Sequence, residues 1–418
     1  MHDFRYKNGQ LYCEDVRIKD LADKFGTPLY VYSYNTFTAH FLKLKKAFCD
    51  VNPLICYSVK ANSNLSILKA LVAKGAGLDI VSGGELFRAI KAGCPAQKIV
   101  YASVGKTDKE IEDAIKQGIL FFNAESLPEL ENINRIAKRL NKFTNVALRI
   151  NPDVEPKTHK YITTGKLTNK FGIDFDTAAG ILKMADKFFY ARIKGLHIHI
   201  GSQITEGDSF VAAIKKVTAF ISAQRDKGLK LEYLNIGGGL GIVYNNEAPQ
   251  TADQFARKVI PILKKSGLKI IMEPGRFIIG SAAALVVKTL YVKKTPLKKF
   301  VIQDGGMNDL IRPALYEAHH EIWPLAKSQA KKSKVDVVGP ICESGDFFAK
   351  DRNIPEVSAG DLLAVMCSGA YGFSMASNYN SRRRPAEVLV SCKKTMLIRR
   401  RETYNDLVHN EVIASKFE

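Results

Sequence analysis

Several groups of residues in this chain have types and spacings that could do chemistry. The first is Cys56-Tyr57-Ser58-Val59-Lys60-Ala61-Asn62, an apolar run that stops at a single lysine. A lysine at the exit of a buried strand has two readings. Its stem packs on the core rim while its head stays in water, or desolvation lowers its pKa and it serves as an amine nucleophile that forms a Schiff base. The second group, His197-Ile198-His199-Ile200-Gly201-Ser202-Gln203, sets two imidazoles two residues apart, hence on one face of a strand. Taken singly, each is as well read as a satisfied core histidine. The third, Gly237-Gly238-Gly239-Leu240-Gly241, is either a tight turn or a backbone cradle whose N–H groups approach an anion unhindered by Cβ atoms. Beside Arg276, in Glu273-Pro274-Gly275-Arg276, the anion reading is the better one, and phosphate the natural anion. Cys342-Glu343-Ser344-Gly345-Asp346 places a thiol next to a carboxylate in a glycine-containing turn, where a cysteine is otherwise buried and inert. Arg312 and Tyr316, four apart, either share a helix face on which Arg grips a carboxylate or form an ordinary surface pair.

The elements that must position these groups follow from hydrophobic patterning. Continuous apolar runs fall at 54–59, 77–81, 99–102, 120–123, 146–150, 193–200, 233–236 and 269–272. Helical patterns separate them at 65–73, 84–92, 108–117, 126–140, 176–188, 208–225 and 252–265. Eight such strands alternating with helices predict parallel pairing covered by helices. Repeated βα units over about 220 residues fit an eight-stranded parallel (β/α) barrel at 35–278, with an open doubly wound sheet as the alternative. In a barrel the chemistry sits at the carboxyl ends of the strands. Those exits hold Lys60, Ser103, Arg149 with Asn151, the His197–Ser202 group, the glycines, and Glu273 with Arg276. The long fifth-to-sixth connection carries Lys157-Thr158-His159, a candidate active-site loop. Residues 1–34 read as short strands at 11–13, 16–18 and 29–33 around a helix at 18–25, and a helix at 35–48 follows. Beyond 280 the runs at 283–290, 300–303, 335–338, 361–365 and 386–391 are short and β-rich. Segments 1–34 and 279–418 together predict an antiparallel β domain, sandwich or barrel-like.

A rim lysine, an anion cradle and a strand-end glutamate in one barrel suggest pyridoxal 5′-phosphate. Lys60 would hold its aldehyde, the glycines and Arg276 its phosphate, and Glu273 its ring nitrogen, keeping the ring a strong electron sink. One of the two histidines could stack on the ring.

These motifs, together with Gly369-Ala370-Tyr371-Gly372, resemble the alanine-racemase-fold group (fold type III) of pyridoxal-phosphate-dependent decarboxylases, and within it the diaminopimelate decarboxylases. They occur in family order across nearly the whole chain. The resemblance implies decarboxylation of meso-2,6-diaminopimelate to L-lysine and CO2, the last step of lysine biosynthesis. It implies that Lys60 is the Schiff-base lysine, that His199 stacks on the ring and that Glu273 contacts its nitrogen. Ser202, Gly237, Gly238, Gly239, Gly275 and Arg276 would belong to the cofactor site, with Arg276 also near substrate. Arg312, Tyr316 and Glu343 would hold the far end of the substrate, and Tyr371 would touch both cofactor and substrate. Cys342 would reprotonate the carbanion. A homodimer with shared sites is implied, so that Cys342 and Glu343 serve the partner's Lys60. The substrate agrees: its distal end needs a carboxylate clamp and an ammonium acceptor.

Composition narrows the field. Of 418 residues 46% are hydrophobic and 25% charged, ordinary for globular domains with large cores. No basic-then-apolar leader opens the chain, and no apolar run is long enough to span a bilayer, which predicts a cytoplasmic protein away from membranes. The seven cysteines are scattered without metal-ligand spacing, so no metal site is expected. Six of them, all but Cys342, read as small buried hydrophobes. The net charge of +20 includes the triplets Arg382-Arg383-Arg384 and Arg399-Arg400-Arg401. Without a recognisable binding module this reads as solvated surface that draws in anions rather than nucleic acid. Three alternatives remain at this point. An ornithine- or arginine-type decarboxylase of the same fold would leave Arg312 and Tyr316 little to bind. A racemase favours a weaker sink than Glu273 provides. A non-catalytic cofactor-binding regulator would be expected to have lost Lys60 or Cys342.

Overall fold

The computed structural model describes residues 2–154, 170–226 and 230–414. Lys157, Thr158 and His159 lie outside the described residues. The chain forms two compact units, Thr38–Ile278 and the pair of segments Met1–Phe37 and Ile279–Glu418.

In the first unit the eight apolar runs become parallel strands: Leu54–Ser58, Gly77–Ile80, Ile99–Tyr101, Phe121–Ala124, Thr144–Arg149, Ala191–His197, Tyr233–Asn235 and Lys269–Met272. They close in chain order into a barrel. The last strand pairs Ile271 and Met272 with Leu54 and Ile55 of the first. Side chains from separate strands, Cys56, Val100, Phe121, Ala147 and Ile271, fill part of the interior. Most helices start where a turn ends in a capping side chain. Asn64, Ser82, Thr107, Ser126, Asp174 and Thr251 each accept a hydrogen bond from a backbone N–H of the first turn. Each such cap contributes about 1 kcal/mol and fixes where a strand-exit turn stops.

The second unit is a nine-stranded sheet with a separate three-stranded sheet. Most pairings are antiparallel, as expected, but two are parallel. Leu29–Ser33 runs parallel to Ala386–Ser391, and Lys299–Gln303 parallel to Lys332–Val338. Strands at Phe347–Pro355 and Lys394–Arg399 were not legible as apolar runs. The first carries Lys350, Asp351 and Arg352 at its middle and shifts register against its partner; the second is exposed along much of its length.

The cysteine reading needs correction. Cys13, Cys56, Cys94 and Cys367 are buried, but Cys49 and Cys392 are exposed, as is Cys342. Cys49 opens a short 3-10 turn. Cys392 sits at φ 54° in the turn between Ala386–Ser391 and Lys394–Arg399, a position that faces water. Among the described residues no helix is long and apolar enough to cross a membrane.

Candidate active site

Barrel closure brings the first and eighth strand exits together. Ser58 N donates to Pro274 O at 3.1 Å, and Ser58 Oγ lies 3.0 Å from Glu273 O. A side chain on Gly275 would press on Ser58 and Ala61, so this junction admits only glycine comfortably. Just beyond it, Lys60 Nζ sits 2.9 Å from Asp79 Oδ2. Asp79 is fully buried, whereas the Lys60 side chain is 35% exposed. An ion pair at the mouth, rather than a purely apolar rim, is what the lysine head meets. Ser58 Oγ also donates to Asp79 Oδ2, at 2.7 Å, across the register pair Ser58–Asp79.

Glu273 is the most heavily bonded acid of the mouth. Its Oε1 accepts from Asn123 Nδ2 at 3.0 Å and Asn235 Nδ2 at 2.5 Å, and its Oε2 lies 3.1 Å from His197 Nε2. Burial alone would raise this carboxyl. The charge and hydrogen bond of His197, and then the charge of Lys60, outweigh burial and hold it well below the usual range. Asp79 goes the other way: burial and then the charge of Glu273 push it up, against the pull of Lys60 and Ser58. The two buried acids are thus shifted in opposite directions, Glu273 toward its ionised form and Asp79 away from it.

The histidines differ from the expected pair on one strand face. The strand stops at His197, which points to Glu273, and His199 follows in irregular backbone. His199 Nδ1 accepts from Gly238 N at 3.2 Å, which leaves the ring proton on Nε2. Burial, and after it the positive charges of Arg149 and Lys60, pull His199 well below the usual imidazole range, so it is neutral.

The glycine turn is packed against its neighbours. A Cβ on Gly238 would collide with the carbonyl of Glu273, and one on Gly239 with that of Gly201. Gly237 and Gly239 have φ of 68° and 108°, conformations that favour glycine. Gly237 N donates to Asn235 Oδ1 at 2.9 Å, so one carboxamide joins the turn to Glu273. Beside the turn, Arg276 Nη2 donates to Ser202 Oγ at 3.0 Å and its Nη1 to Tyr244 Oη at 2.8 Å. A guanidinium, a hydroxyl and a turn without side chains are the donor set a phosphate requires. An ionised carboxylate and a lysine head complete what a phosphorylated, aldehyde-bearing, protonated heteroaromatic ring would need. The barrel residues fit pyridoxal phosphate.

The structure brings Lys60, His199, Ser202, Gly237, Gly238, Gly239, Glu273, Gly275 and Arg276 into one unit, on adjoining strand exits. Ser103 and Arg149 have bonds of their own there. Ser103 O accepts from Lys106 Nζ at 2.7 Å, and Arg149 pairs with Glu125 at 2.6 Å. Sequence reasoning missed Asp79, Asn123, Asn235 and Tyr244. The first three lie inside strands rather than after them, and the signal was a polar residue interrupting an apolar run.

Arg312, Tyr316, Cys342, Glu343 and Tyr371 belong to the second unit. Arg312 and Tyr316 are the first and last residues of one short helix, Arg312–Tyr316. Arg312 is buried, and its Nη1 lies 2.9 Å from His320 Nε2. His320 Nδ1 lies 2.7 Å from Met366 O, which can only accept, so Nδ1 carries the proton and Nε2 receives the Arg312 N–H. Cys342 and Glu343 are exposed on a loop tied by its backbone. Cys342 N donates to Asn380 Oδ1 at 2.7 Å, and Asp346 accepts from Ile341 N and Met307 N. Tyr371 has a left-handed φ of 56°.

Comparison with known proteins fits this geometry. The family described as "Pyridoxal-dependent decarboxylase, pyridoxal binding domain" matches residues 34–280. A diaminopimelate decarboxylase of Aquifex aeolicus is 49% identical over 404 residues, covering 96% of each chain. The chain belongs to the diaminopimelate decarboxylase family. Members are carboxy-lyases with a pyridoxal-dependent domain, and the fold agrees throughout. A diaminopimelate decarboxylase from Helicobacter pylori, solved with L-lysine, is 41% identical with a TM-score of 0.90, covering 94% of this chain and 99% of that one. A diaminopimelate decarboxylase from "m. jannaschii", also in complex with L-lysine, is 40% identical with a TM-score of 0.94 over 98% of each chain.

Proposed function

We propose that this protein decarboxylates meso-2,6-diaminopimelate to L-lysine and CO2 with pyridoxal 5′-phosphate as cofactor. The observation that carries the reading is the convergence of Lys60, ionised Glu273 and the Gly237–Ser202–Arg276 cradle in one barrel, in a chain nearly half identical to a named diaminopimelate decarboxylase.

Lys60 would hold the cofactor's aldehyde, the glycine turn with Ser202 and Arg276 its phosphate, and His199 its ring face. When bound, the group supplies an electron sink for the bond pair left as CO2 departs. Glu273, ionised and fixed by three donors, is suited to accept an N–H from the ring and so to keep the sink strong. His199, neutral, can lie on a ring face without adding a charge. Asp79 steadies the Lys60 head and is placed to take up a proton from it. Gly275 lets the two strand exits meet, which sets the separation of Lys60 from Glu273. On the other unit Arg312 and Tyr316 would clamp the distal carboxylate, Glu343 its ammonium, and Tyr371 would contact cofactor and substrate. Cys342 would deliver the proton that replaces the carboxylate.

The proposal includes a homodimer in which Cys342 and Glu343 serve the partner's Lys60. Their exposure supports it, because groups that act must meet something. Mixing inactive Lys60→Ala with inactive Cys342→Ala enzyme should restore about a quarter of the wild-type sites by random pairing of two-fold related chains. Activity that stays at zero in the mixture, with hybrids verified by mass, would remove the shared site. Substrate choice is tested by CO2 release from diaminopimelate, ornithine and arginine. Release from ornithine alone overturns the assignment. The cytoplasm, where thiols such as Cys49 and Cys392 stay reduced, is the compartment this reading proposes.

A further inference from the structure

The arginine triplets, Arg382-Arg383-Arg384 and Arg399-Arg400-Arg401, have no place in the decarboxylase chemistry. Their fates differ. Arg384 pairs with Glu402 and Arg399 with Glu387. Arg400 is exposed. The remaining three, Arg382, Arg383 and Arg401, come from both triplets to line one cleft of about 340 Å³ within the second unit. That volume is at the lower end for small-molecule sites.

Among the described residues none of these three forms an ion pair with a carboxylate. Arg382 Nη2 donates to Asp304 O at 3.1 Å, Arg401 Nη2 to Pro28 O at 2.6 Å, and Arg383 lies over the Tyr404 ring, 4.6 Å from its centroid. Each guanidinium has five donors, so most of their N–H groups are uncommitted. Two acids share the cleft wall, but their oxygens are engaged elsewhere. Asp304 accepts from Thr27 Oγ1 at 2.5 Å and Lys288 N at 2.8 Å. Asp309 accepts from Gly306 N at 3.0 Å and Asn308 Nδ2 at 3.1 Å. Burial pushes both acids up, Asp309 to about 7, which weakens them as counter-charges. Burial, and then the charge of Arg383, pull Arg401 down. Three like charges thus share a small cleft without a matching anion.

A planar carboxylate has two oxygens to offer three arginine forks; a tetrahedral dianion offers each fork an edge. The cleft also touches the chemistry described above. Asn380 and Ser381, both left-handed at φ 54° and 53°, stand on its wall, and Asn380 Oδ1 is the acceptor that holds the Cys342 amide. We propose that this cleft binds a phosphate-type dianion, free or as the phosphate of a small metabolite, and that its occupancy is felt at Cys342.

The test uses enzyme saturated with pyridoxal phosphate and then desalted, so that the barrel cradle does not compete. Inorganic phosphate, and in a second arm glycerol phosphate, are titrated calorimetrically at constant ionic strength in chloride; the tighter binder identifies the source. The expected result is one saturable site per chain, weakened about tenfold in Arg383→Ala, as for loss of a charge-assisted hydrogen bond. It should be unchanged in Arg400→Ala. Arg382→Ala is the second variant; Arg401→Ala is avoided because Arg401 holds the carbonyls of Phe25 and Pro28. No saturable heat, or heat indifferent to both Arg383→Ala and Arg382→Ala, overturns the site. Heat lost instead in Ser202→Ala belongs to the barrel cradle and also counts against the cleft. Alkylation of Cys342 by iodoacetamide, read by mass spectrometry of its peptide, should slow severalfold with phosphate in the wild type and not in Arg383→Ala. An alkylation rate indifferent to bound phosphate overturns the link.

Discussion

At the barrel mouth Glu273 is buried and receives three side-chain donors, while Lys60 is paired to a buried acid. On the Cys342 loop the candidate side chains face solvent; the backbone is held by Asn380 and Asp346, and Glu343 Oε1 accepts only a long bond from Gly345 N, at 3.4 Å. The first region is organised before any ligand arrives. Its polar groups are fixed by one another, so the charge that tunes a bound ring needs little rearrangement. The second region fixes where a thiol and a carboxylate start from and ties their ends only weakly. The contrast predicts a division of labour: substitutions at the mouth change how the cofactor is held or how its ring is tuned, and substitutions on the loop leave the bound cofactor's absorbance alone and disturb turnover.

Four variants test that division, from the largest effect down. Lys60→Ala should abolish the visible absorbance of covalently held cofactor and lower turnover on the order of 10³-fold or more. Retained absorbance would break the comparison at its centre. Cys342→Ala should keep that absorbance and lose about 10²-fold in kcat or release product of altered stereochemistry, as expected for a missing general acid; unchanged kinetics remove Cys342 from the mechanism. Glu273→Gln keeps the shape but removes the charge and faces a carboxamide toward donors. It should lower kcat by roughly tenfold to 10²-fold while cofactor stays bound, and an unaltered absorbance maximum would argue that Glu273 does not touch the ring.

The last test contrasts two buried acids. Glu273 is held ionised, whereas burial raises Asp309 of the second unit to about 7. A carboxyl raised on folding contributes stability below its unfolded pKa and loses it as pH climbs through the folded value. Asp309→Asn should therefore stabilise the protein at pH 8, by up to about 4 kcal/mol, and the gain should fade toward pH 4. Asn308, whose buried Oδ1 has no partner among the described residues, can turn to receive the new amide. Equal gains in chemical denaturation at both pH values would refute it.

Much of the barrel was legible because its signals are local. Apolar runs mark strands, helical patterns mark the segments between them, and the strand exits carry Lys60, the glycines and Glu273. The parts that escaped depend on non-local pairing. Asp79 matters because Ser58 ends the neighbouring strand and Lys60 follows in the turn after it, and Asn235 because it reaches both Gly237 and Glu273. Neither looks different in sequence from a polar interruption. The parallel pairing of Leu29–Ser33 with Ala386–Ser391 joins residues more than 350 apart, which no window of sequence can contain. Cys49 and Cys392 were misjudged because residue type predicts burial only on average; turn position decided it here.

Gly238 sits so near the carbonyl of Glu273 that one added methyl group would drive the two apart. The anion turn and the acid that would face the ring nitrogen are therefore not separate parts but a single machined joint. Neither can drift in a lineage without dragging the other, and an alanine at 238 would look like a phosphate-site lesion while first acting as a mis-aimed carboxylate.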